Sequence, residues 1–291
     1  MKNVFTRVVK AKIATMLSFV PDEVYIELVY FIKLKKILNI RNATSFNEKI
    51  QYKKIYDHNP VYTTLVDKYK VRNYVSDRVG DKYLIPLLGV WDSPMLIDVN
   101  ELPEAFVLKC NHDSGTAIIC EDKTKIDFED CKRKLNSYLK INYYYKSREW
   151  AYKNVKPCIL AEKLIRDDKG DLRDYKFFCF GGTVFYIQVD FDRQTNHTRK
   201  IYTRNWEPLD VKIEYPISKI EAERPRNLDE MIHIAERLSA GLSDARIDLY
   251  SVTNGGQDYV YFGEITLYHG SGLEHIVPET FNTRMGQLIK T

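Results

Sequence analysis

The 291-residue chain lacks most of the features that assign a function quickly. It has five cysteines, an odd number, with no CxxC pair and no metal-like spacing to histidine. Cys110, Cys120, Cys158 and Cys179 lie in apolar stretches, where a reduced thiol behaves as a small hydrophobe, so a reducing cytoplasm is expected. No block of five or more basic residues occurs and the net charge is only +4, so nucleic acid is not indicated as a partner. Neither GxGxxG nor GxxxxGK[ST] is present, which argues against a dinucleotide-binding or P-loop fold. No Ser–His–Asp or Cys–His set stands out, so no protein nucleophile is expected.

Long apolar runs are missing too. The most apolar stretch, VYIELVYFIKLKKIL, is interrupted by Glu27 and Lys33 and is too short to span a bilayer. The opening MKNVFTRVVKAKIATMLSFV is basic and amphipathic but has no signal-peptide core or cleavage site. We expect a helical pair packed on the main body. Asp22 can cap the second helix, and Lys33, Lys35 and Lys36 lie near its negative end. Contact of these N-terminal helices with anionic lipid, at the inner face of the membrane, is the second reading.

What is present is a soluble composition, 44% apolar and 29% charged, long enough for one large or two packed domains. Residues 1–80 read as helical: Ser45 and Glu48 form a capping-box pattern, and Gly80 is a helix stop. Residues 81–158 read as a first, or lid, α/β subdomain and 159–291 as a second. AFVLKCNHDSGTAIIC reads as two strands and a turn, and DFEDCKRKLNSYLKINYYYKSREWAYKNV as a helix. CILAEKLI, DYKFFCF and TVFYIQVDF read as strands, with Gly181-Gly182 turning the last pair. NLDEMIHIAERLSAGL is a patterned helix capped by Asn227. ARIDLY and YFGEIT form a hairpin through TNGGQD.

The anomaly is where charge sits. Lys109, Glu162, Lys176, Arg246, Asp248 and Glu264 each lie within or beside an otherwise apolar strand. Burying one alone costs several kcal/mol, on the order of 2–7 even for an uncharged polar group. Pairwise ion pairing would account for any one of them. Six spread over several strands fit better as one nucleotide site, with cations on phosphates and the two acids of the hairpin on a shared Mg²⁺. The turn in KCNHDSG offers backbone N–H groups that could cover phosphates.

With SFNEKIQ, VDKYKVRNYV, LIPLLGVWD, FVLKCNHDSG, AEKLI, DYKFFCFGG, ARIDLY and YFGEITLYHGSG in this order, the chain resembles the ATP-grasp superfamily. Within it, the resemblance is to the TupA-like proteins of teichuronopeptide synthesis. The resemblance implies an α+β architecture: two α/β subdomains with mostly antiparallel sheets gripping ATP between them, preceded by a helical N-terminal region. It implies that Lys68 and Lys176 approach the phosphates and Lys109 the α-phosphate. Glu162, Lys163 and Leu164 would lie beside the adenine, and Asp167 or Asp168 by the ribose. Arg246 would stabilise the transferred phosphoryl group, and Asp248 and Glu264 would bind magnesium. Thr266 stands where related ligases carry a third ligand, asparagine.

The activity implied is an ADP-forming carboxylate–amine ligase. The substrates expected first are a uronic-acid carboxyl, on a small molecule, sugar nucleotide or polysaccharide, and an amino acid or small amine; polyglutamate-type extension of a surface polymer comes second. His112, Ser114, His269 and Ser271, in glycine-containing turns, are candidate substrate contacts, with plain turn chemistry as their other reading. Tyr143, Tyr144, Tyr145, Trp150 and Tyr152 either stack on sugars or pack a helix. A sugar or protein kinase using the same nucleotide site, and a non-catalytic nucleotide- or polysaccharide-binding protein, are the competing readings.

Overall fold

The structure is a computed structural model and describes residues 13–113, 115–168, 170, 172–193 and 195–290. Most of the basic N-terminal stretch and Ser114 therefore lie outside the described residues. In chain order the α-helices are α1 (Asp22–Leu34), α2 (Phe46–Tyr56), α3 (Val61–Val66), α4 (Val71–Val79), α5 (Phe128–Leu139), α6 (Tyr143–Ser147), α7 (Leu228–Ser239) and α8 (Glu279–Leu288). The main strands are β1 (Leu87–Trp91), β2 (Phe106–Cys110), β3 (Ile118–Cys120), β4 (Ile159–Lys163), β5 (Asp174–Phe180), β6 (Thr183–Phe191) and β7 (Thr198–Thr203). After the two-residue β8 (Pro208–Leu209) and β9 (Lys212–Ile213) come β10 (Asp244–Asn254), β11 (Gln257–Thr266) and β12 (Ile276–Val277). They divide into two compact units, residues 13–22, 59–74 and 85–165, and residues 23–58, 75–84 and 166–290.

The first unit holds an antiparallel sheet in the order β1-β4-β2-β3. In β2 the pattern FVLKC sends Phe106, Leu108 and Cys110 into a core with Leu135 and Tyr138 of α5 and Ile159 and Ala161 of β4. Phe106 and Leu108 are fully buried, worth roughly 1.5–3 kcal/mol each. Strand alternation puts Val107 and Lys109 on the other face, and register pairs Val107 with Glu162. A lysine and a glutamate are thereby set side by side, away from the core.

The segment expected as one helix from Asp127 to Val155 breaks twice. Asn142 Oδ1 accepts from Tyr144 N at 3.0 Å and starts α6 afresh, while Arg148 takes a left-handed φ of 55° and ends it. Local Asx capping and a left-handed residue override the continuous apolar periodicity.

The second unit holds a six-stranded antiparallel sheet in the order β11-β10-β5-β6-β7-β8. Its two tight hairpins turn at Gly181-Gly182 (φ 56°, 80°) and Gly255-Gly256 (φ 61°, 79°), where both central residues need positive φ. One face, carrying Phe177, Cys179 and Ile247, is covered by Met231, Ala235 and Leu238 of α7. The side chain of Asn227 does not cap that helix. Its Oδ1 instead accepts from Ser251 Oγ at 2.9 Å, so the expected cap serves β10.

The other face of this sheet carries Lys176, Phe178, Phe180, Gln188, Asp190, Arg246 and Asp248. α2 lies against it, with Phe46 edge-on to Phe178 and Phe180 at 6.4 and 6.2 Å. The capping box closes α2 as its sequence predicts, Glu48 Oε2 accepting from Ser45 N at 2.9 Å. The helix also buries Asn47, Gln51, Lys53 and Lys54, which no amphipathic pattern anticipates. Among the described residues no helix is long and apolar enough to cross a membrane.

Candidate active site

In the first unit Lys109 Nζ lies 2.5 Å from Glu162 Oε2, and Arg72 Nη1 lies 3.3 Å from Glu162 Oε1. Arg72 also donates through Nη2 to Ile85 O at 2.9 Å, which fixes its position. One nearly buried carboxylate is thus shared by two cations. The KCNHDSG turn is anchored by Asn111, whose amide donates to Asp67 Oδ1 (3.0 Å) and Lys156 O (2.9 Å) and accepts from Cys158 N (2.8 Å). Lys68 Nζ donates to Asp113 O at the same turn. His112 is buried, its ring 3.0 Å from Ile141 O, and burial holds its pKa below the ordinary value. Lys163 is exposed and Leu164 half-buried at the end of β4.

In the second unit the β10–β11 hairpin sets Asp248 opposite Glu264 and Arg246 opposite Thr266. β5 sets Lys176 opposite Asp248 on the other side. All five share one sheet face. Arg246 grips Asp248 with two bonds, Nε to Oδ1 and Nη2 to Oδ2, both 2.7 Å. The same Nη2 lies 3.1 Å from Thr266 Oγ1 and 3.3 Å from Glu264 Oε1. Lys176 contacts Asp174 and lies 3.7 Å from Asp248 and 3.8 Å from Asp190. Asp168 is exposed, with its backbone N–H on Thr253 O at 2.8 Å, and Asp167 accepts from Thr253 N at 2.7 Å.

Burial pushes the Asp248 carboxyl above its usual value against the pull of Arg246 and Lys176. Burial disfavours the Arg246 cation, and the facing Asp248 more than reverses this, so Arg246 stays charged. Three oxygen donors, from Asp248, Glu264 and Thr266, converge where Arg246 Nη2 now lies. Oxygen donors suit a hard divalent cation, and Mg²⁺ takes one or two carboxylates together with phosphate oxygens. Among the described residues no group of three or more His, Cys, Asp and Glu is placed to hold a metal ion. The set fits a cation brought in on phosphate rather than one caged by protein alone.

Strand-borne charge also marks residues that the sequence reading passed over. Asp190, in TVFYIQVDF, is fully buried and bonds Arg199 Nε at 2.6 Å. Arg199 in turn lies 3.3 Å from Glu274 Oε1. Glu274 has no periodic signal, because it lies in the loop after β11. Ser271 is held by Lys54, whose Nζ donates to its carbonyl and hydroxyl at 2.7 and 2.8 Å. His269 lies beside Arg246, with Nδ1 2.7 Å from Nη1. A cavity of about 540 Å³ opens on the α7 face of the sheet, lined by Arg173, Tyr175, Ser251 and Thr253. Of the sequence-derived candidates it includes Asp167 alone, so this cavity and the charged cluster lie on opposite faces.

Each of the two antiparallel sheets thus presents cations and acids together on one face. A sequence model of the TupA-like ATP-grasp proteins matches residues 48–290, and the chain belongs to that family. No curated protein sequence matches it significantly. Among solved structures it is similar to a D-alanine–D-alanine ligase from Bacillus anthracis, at 16% identity over 77% of this chain and 65% of that one, with a TM-score of 0.40. It is similar to an L-amino acid ligase from Bacillus licheniformis, at 14% identity over 88% and 55%, with a TM-score of 0.45. The D-cycloserine synthetase DcsG aligns at 15% identity over 79% and 70%, with a TM-score of 0.43. The chain thus spans less than two thirds of both Bacillus ligases. Likeness at this level assigns no substrate.

Proposed function

We propose that the protein is an ATP- and Mg²⁺-dependent ligase that joins a carboxylate to an amine through an acyl phosphate. The observation that carries this reading is the gathering of Lys176, Arg246, Asp248, Glu264 and Thr266 on one sheet face, in a chain of the ATP-grasp family. A substrate carboxylate oxygen attacks the γ-phosphorus, and the bond to the bridging oxygen breaks as ADP leaves. The amine then attacks the acyl carbon, loses a proton, and phosphate departs. Lys176 and Arg246 spread the charge of the transferred phosphoryl group, so positioning and electrostatics suffice without a protein nucleophile.

Lys68 and Lys109 are assigned to the phosphates, Glu162, Lys163 and Leu164 to the adenine, and Asp168 to the ribose. Asp248, Glu264 and Thr266 would hold Mg²⁺, which neutralises phosphate oxygens when bound. The acceptor we favour is a uronic-acid carboxyl, amidated by an amino acid or small amine during cell-surface polysaccharide synthesis. The family is what supports this choice. His112, His269 and Ser271 are each held by protein groups, which favours structural roles for them over direct substrate contact.

The test is an ADP assay across uronic acids crossed with amino acids and small amines. ADP and phosphate released only with an acid–amine pair is the expected result. ADP formed without an amine, with a phosphorylated product, would make the protein a kinase, and no ADP with any pair would make it a binder.

Polymer synthesis at a membrane also suits α1. Val24, Leu28, Phe31 and Ile32 share one helical face and are 53, 56, 52 and 54% exposed. Lys35 and Lys36 follow directly, and the first 21 residues carry four basic and no acidic side chains. Co-sedimentation with anionic but not neutral vesicles, lost in Phe31→Ser/Ile32→Ser, is expected. Unchanged sedimentation of that variant would refute it.

A further inference from the structure

The Arg246 guanidinium has two edges, and only one is held by acid. Nε and Nη2 face Asp248, while Nη1 points the other way, to Nδ1 of His269 at 2.7 Å. Arginine only donates, so Nδ1 must be the acceptor and carry no proton. On the far side of the ring, Nε2 lies 2.7 Å from Glu274 Oε2. Both atoms are buried, and among the described residues neither has another hydrogen-bonding partner. A carboxylate can only accept, so the proton of that pair sits on Nε2. Each end of the imidazole thus requires the same tautomer.

The surroundings keep the ring there. His269 packs edge-on to Phe178 at 4.6 Å and tilted to Phe46 at 6.1 Å. The chain then runs through Gly270, Ser271 and Gly272, all at positive φ (52°, 57° and 63°). A Cβ on Gly270 would fall 2.5 Å from the Glu274 carboxyl, so the glycine leaves the space through which Glu274 reaches the histidine. Gln51 Nε2 holds the turn from α2, donating to Ser271 O at 2.9 Å and Gly272 O at 2.8 Å. Arg199 bonds the second oxygen of Glu274 at 3.3 Å.

We propose that His269 and Glu274 are positioning residues for the ligase reaction: Glu274 keeps the proton on Nε2 of His269, and bare Nδ1 locks the free edge of Arg246. This rests on the assignment of Arg246 to the transferred phosphoryl group. The carboxylate fork at Asp248 sets the plane of the guanidinium, and the histidine stops it from rocking about that fork. A candidate substrate contact is thereby reassigned to the support of the arginine.

The tautomer is read on the whole protein by two-bond ¹H–¹⁵N correlation of ¹⁵N-histidine. His269 should show a protonated Nε2 and a bare Nδ1 at neutral pH. A proton on Nδ1 would overturn the proposal whatever Arg246 does. Calorimetry with Mg·AMP-PNP supplies the functional arm. Arg246→Ala should weaken binding about tenfold or more, as loss of a charge-assisted contact requires. His269→Phe keeps the ring packing but loses the acceptor, and should weaken binding about fivefold. His269→Asn returns an oxygen at the place of Nδ1 and should recover most of that loss, which a merely structural histidine would not do. If Arg246→Ala weakens binding and folded His269→Phe does not, the positioning role is wrong. If Arg246→Ala changes nothing, the phosphoryl assignment fails instead, and the tautomer measurement still decides whether the histidine locks the arginine.

Discussion

Replacing Asp190 by asparagine removes one charge from the second unit with almost no change of side-chain volume, so no cavity enters the result. The Asp190 side chain is 0% exposed and faces Arg199 at 2.6 Å, His197 at 3.3 Å and Lys176 at 3.8 Å. Burial works against the charged form, and Arg199 and Lys176 overcome it, holding the carboxyl far below its usual value. The substitution would leave Arg199, itself 7% exposed, with Glu274 as its remaining carboxylate, 3.3 Å away. Breaking a buried pair from one side costs about 3–5 kcal/mol. At about 2–4 °C per kcal/mol for a chain of this order of size, the melting temperature should drop by roughly 6–20 °C. Urea melts followed by tryptophan fluorescence give the free energy, and repeating them at high salt tests its origin. A buried pair is little screened, so the cost should persist. Lys125→Gln, at an exposed pair with Asp122, is the control and should be silent. A loss below about 1 kcal/mol for Asp190→Asn, or one that vanishes in salt, would refute the view that this network is a buried electrostatic unit.

Glu264→Gln should abolish amine-dependent ADP formation while leaving the melting temperature near wild type, since its side chain is 34% exposed at the rim of the cluster; near-normal turnover would remove Glu264 from the metal set. Lys109→Ala should weaken Mg·ATP binding about tenfold, because a phosphate contact is lost while Arg72 still neutralises Glu162; unchanged affinity by calorimetry would count against its assignment. Stability should fall on acidification in two stages. His269 is held below its ordinary 6.5 by burial, so the unfolded chain takes up that proton first and stability begins to drop near pH 6.5. Burial works to raise Glu274, but the His269 ring and Arg199 pull it from 4.5 to about 2, so its contribution is complete above pH 4.5 and lost towards pH 2. Asp248, pushed upward, works in the opposite sense, so the stages are isolated by comparison with His269→Phe and Glu274→Gln; variants that keep the wild-type pH profile would refute the assignment.

Charge inside apolar strands was a legible signal because alternation makes it unambiguous. A lysine in FVLK or an aspartate in RIDLY has to lie on a defined sheet face, and hairpin turns as short as NGG fix register. That logic alone, counted back from the turn, would set Asp248 opposite Gly263; a bulge there brings Glu264 to the face of Asp248, and the neighbours Lys109–Glu162 and Lys176–Asp248 depend on the long-range β2–β4 and β5–β10 pairings. Applied to TVFYIQVDF it would also have found Asp190. It could not find Glu274, whose approach to His269 depends on three consecutive left-handed residues and on the absence of a Cβ at Gly270. Nor could it assign the sheets: β4 and β5 follow one another in sequence, yet β4 pairs with β1 and β2, and β5 with β6 and β10.

The motif SFNEKIQYKK shows the same limit from the other side. Its capping box is local and was readable, but a helix of its length with buried Asn47, Gln51, Lys53 and Lys54 makes no sense as an amphipathic element. Those four side chains serve distant backbone instead. Asn47 donates to Glu274 O at 2.9 Å, Gln51 and Lys54 hold the turn at Ser271, and Lys53 bonds both the carbonyl and the carboxylate of Asp244 at the start of β10. Buried polar groups must be satisfied, so Asn47, Gln51 and Lys54 tie α2 to one conformation of the β11 loop, and Lys53 ties it to the start of β10. The position of Arg246 is therefore set at three removes: by β10 and the Asp248 fork, by His269 and Glu274 across the loop, and by α2 holding that loop in its left-handed turn.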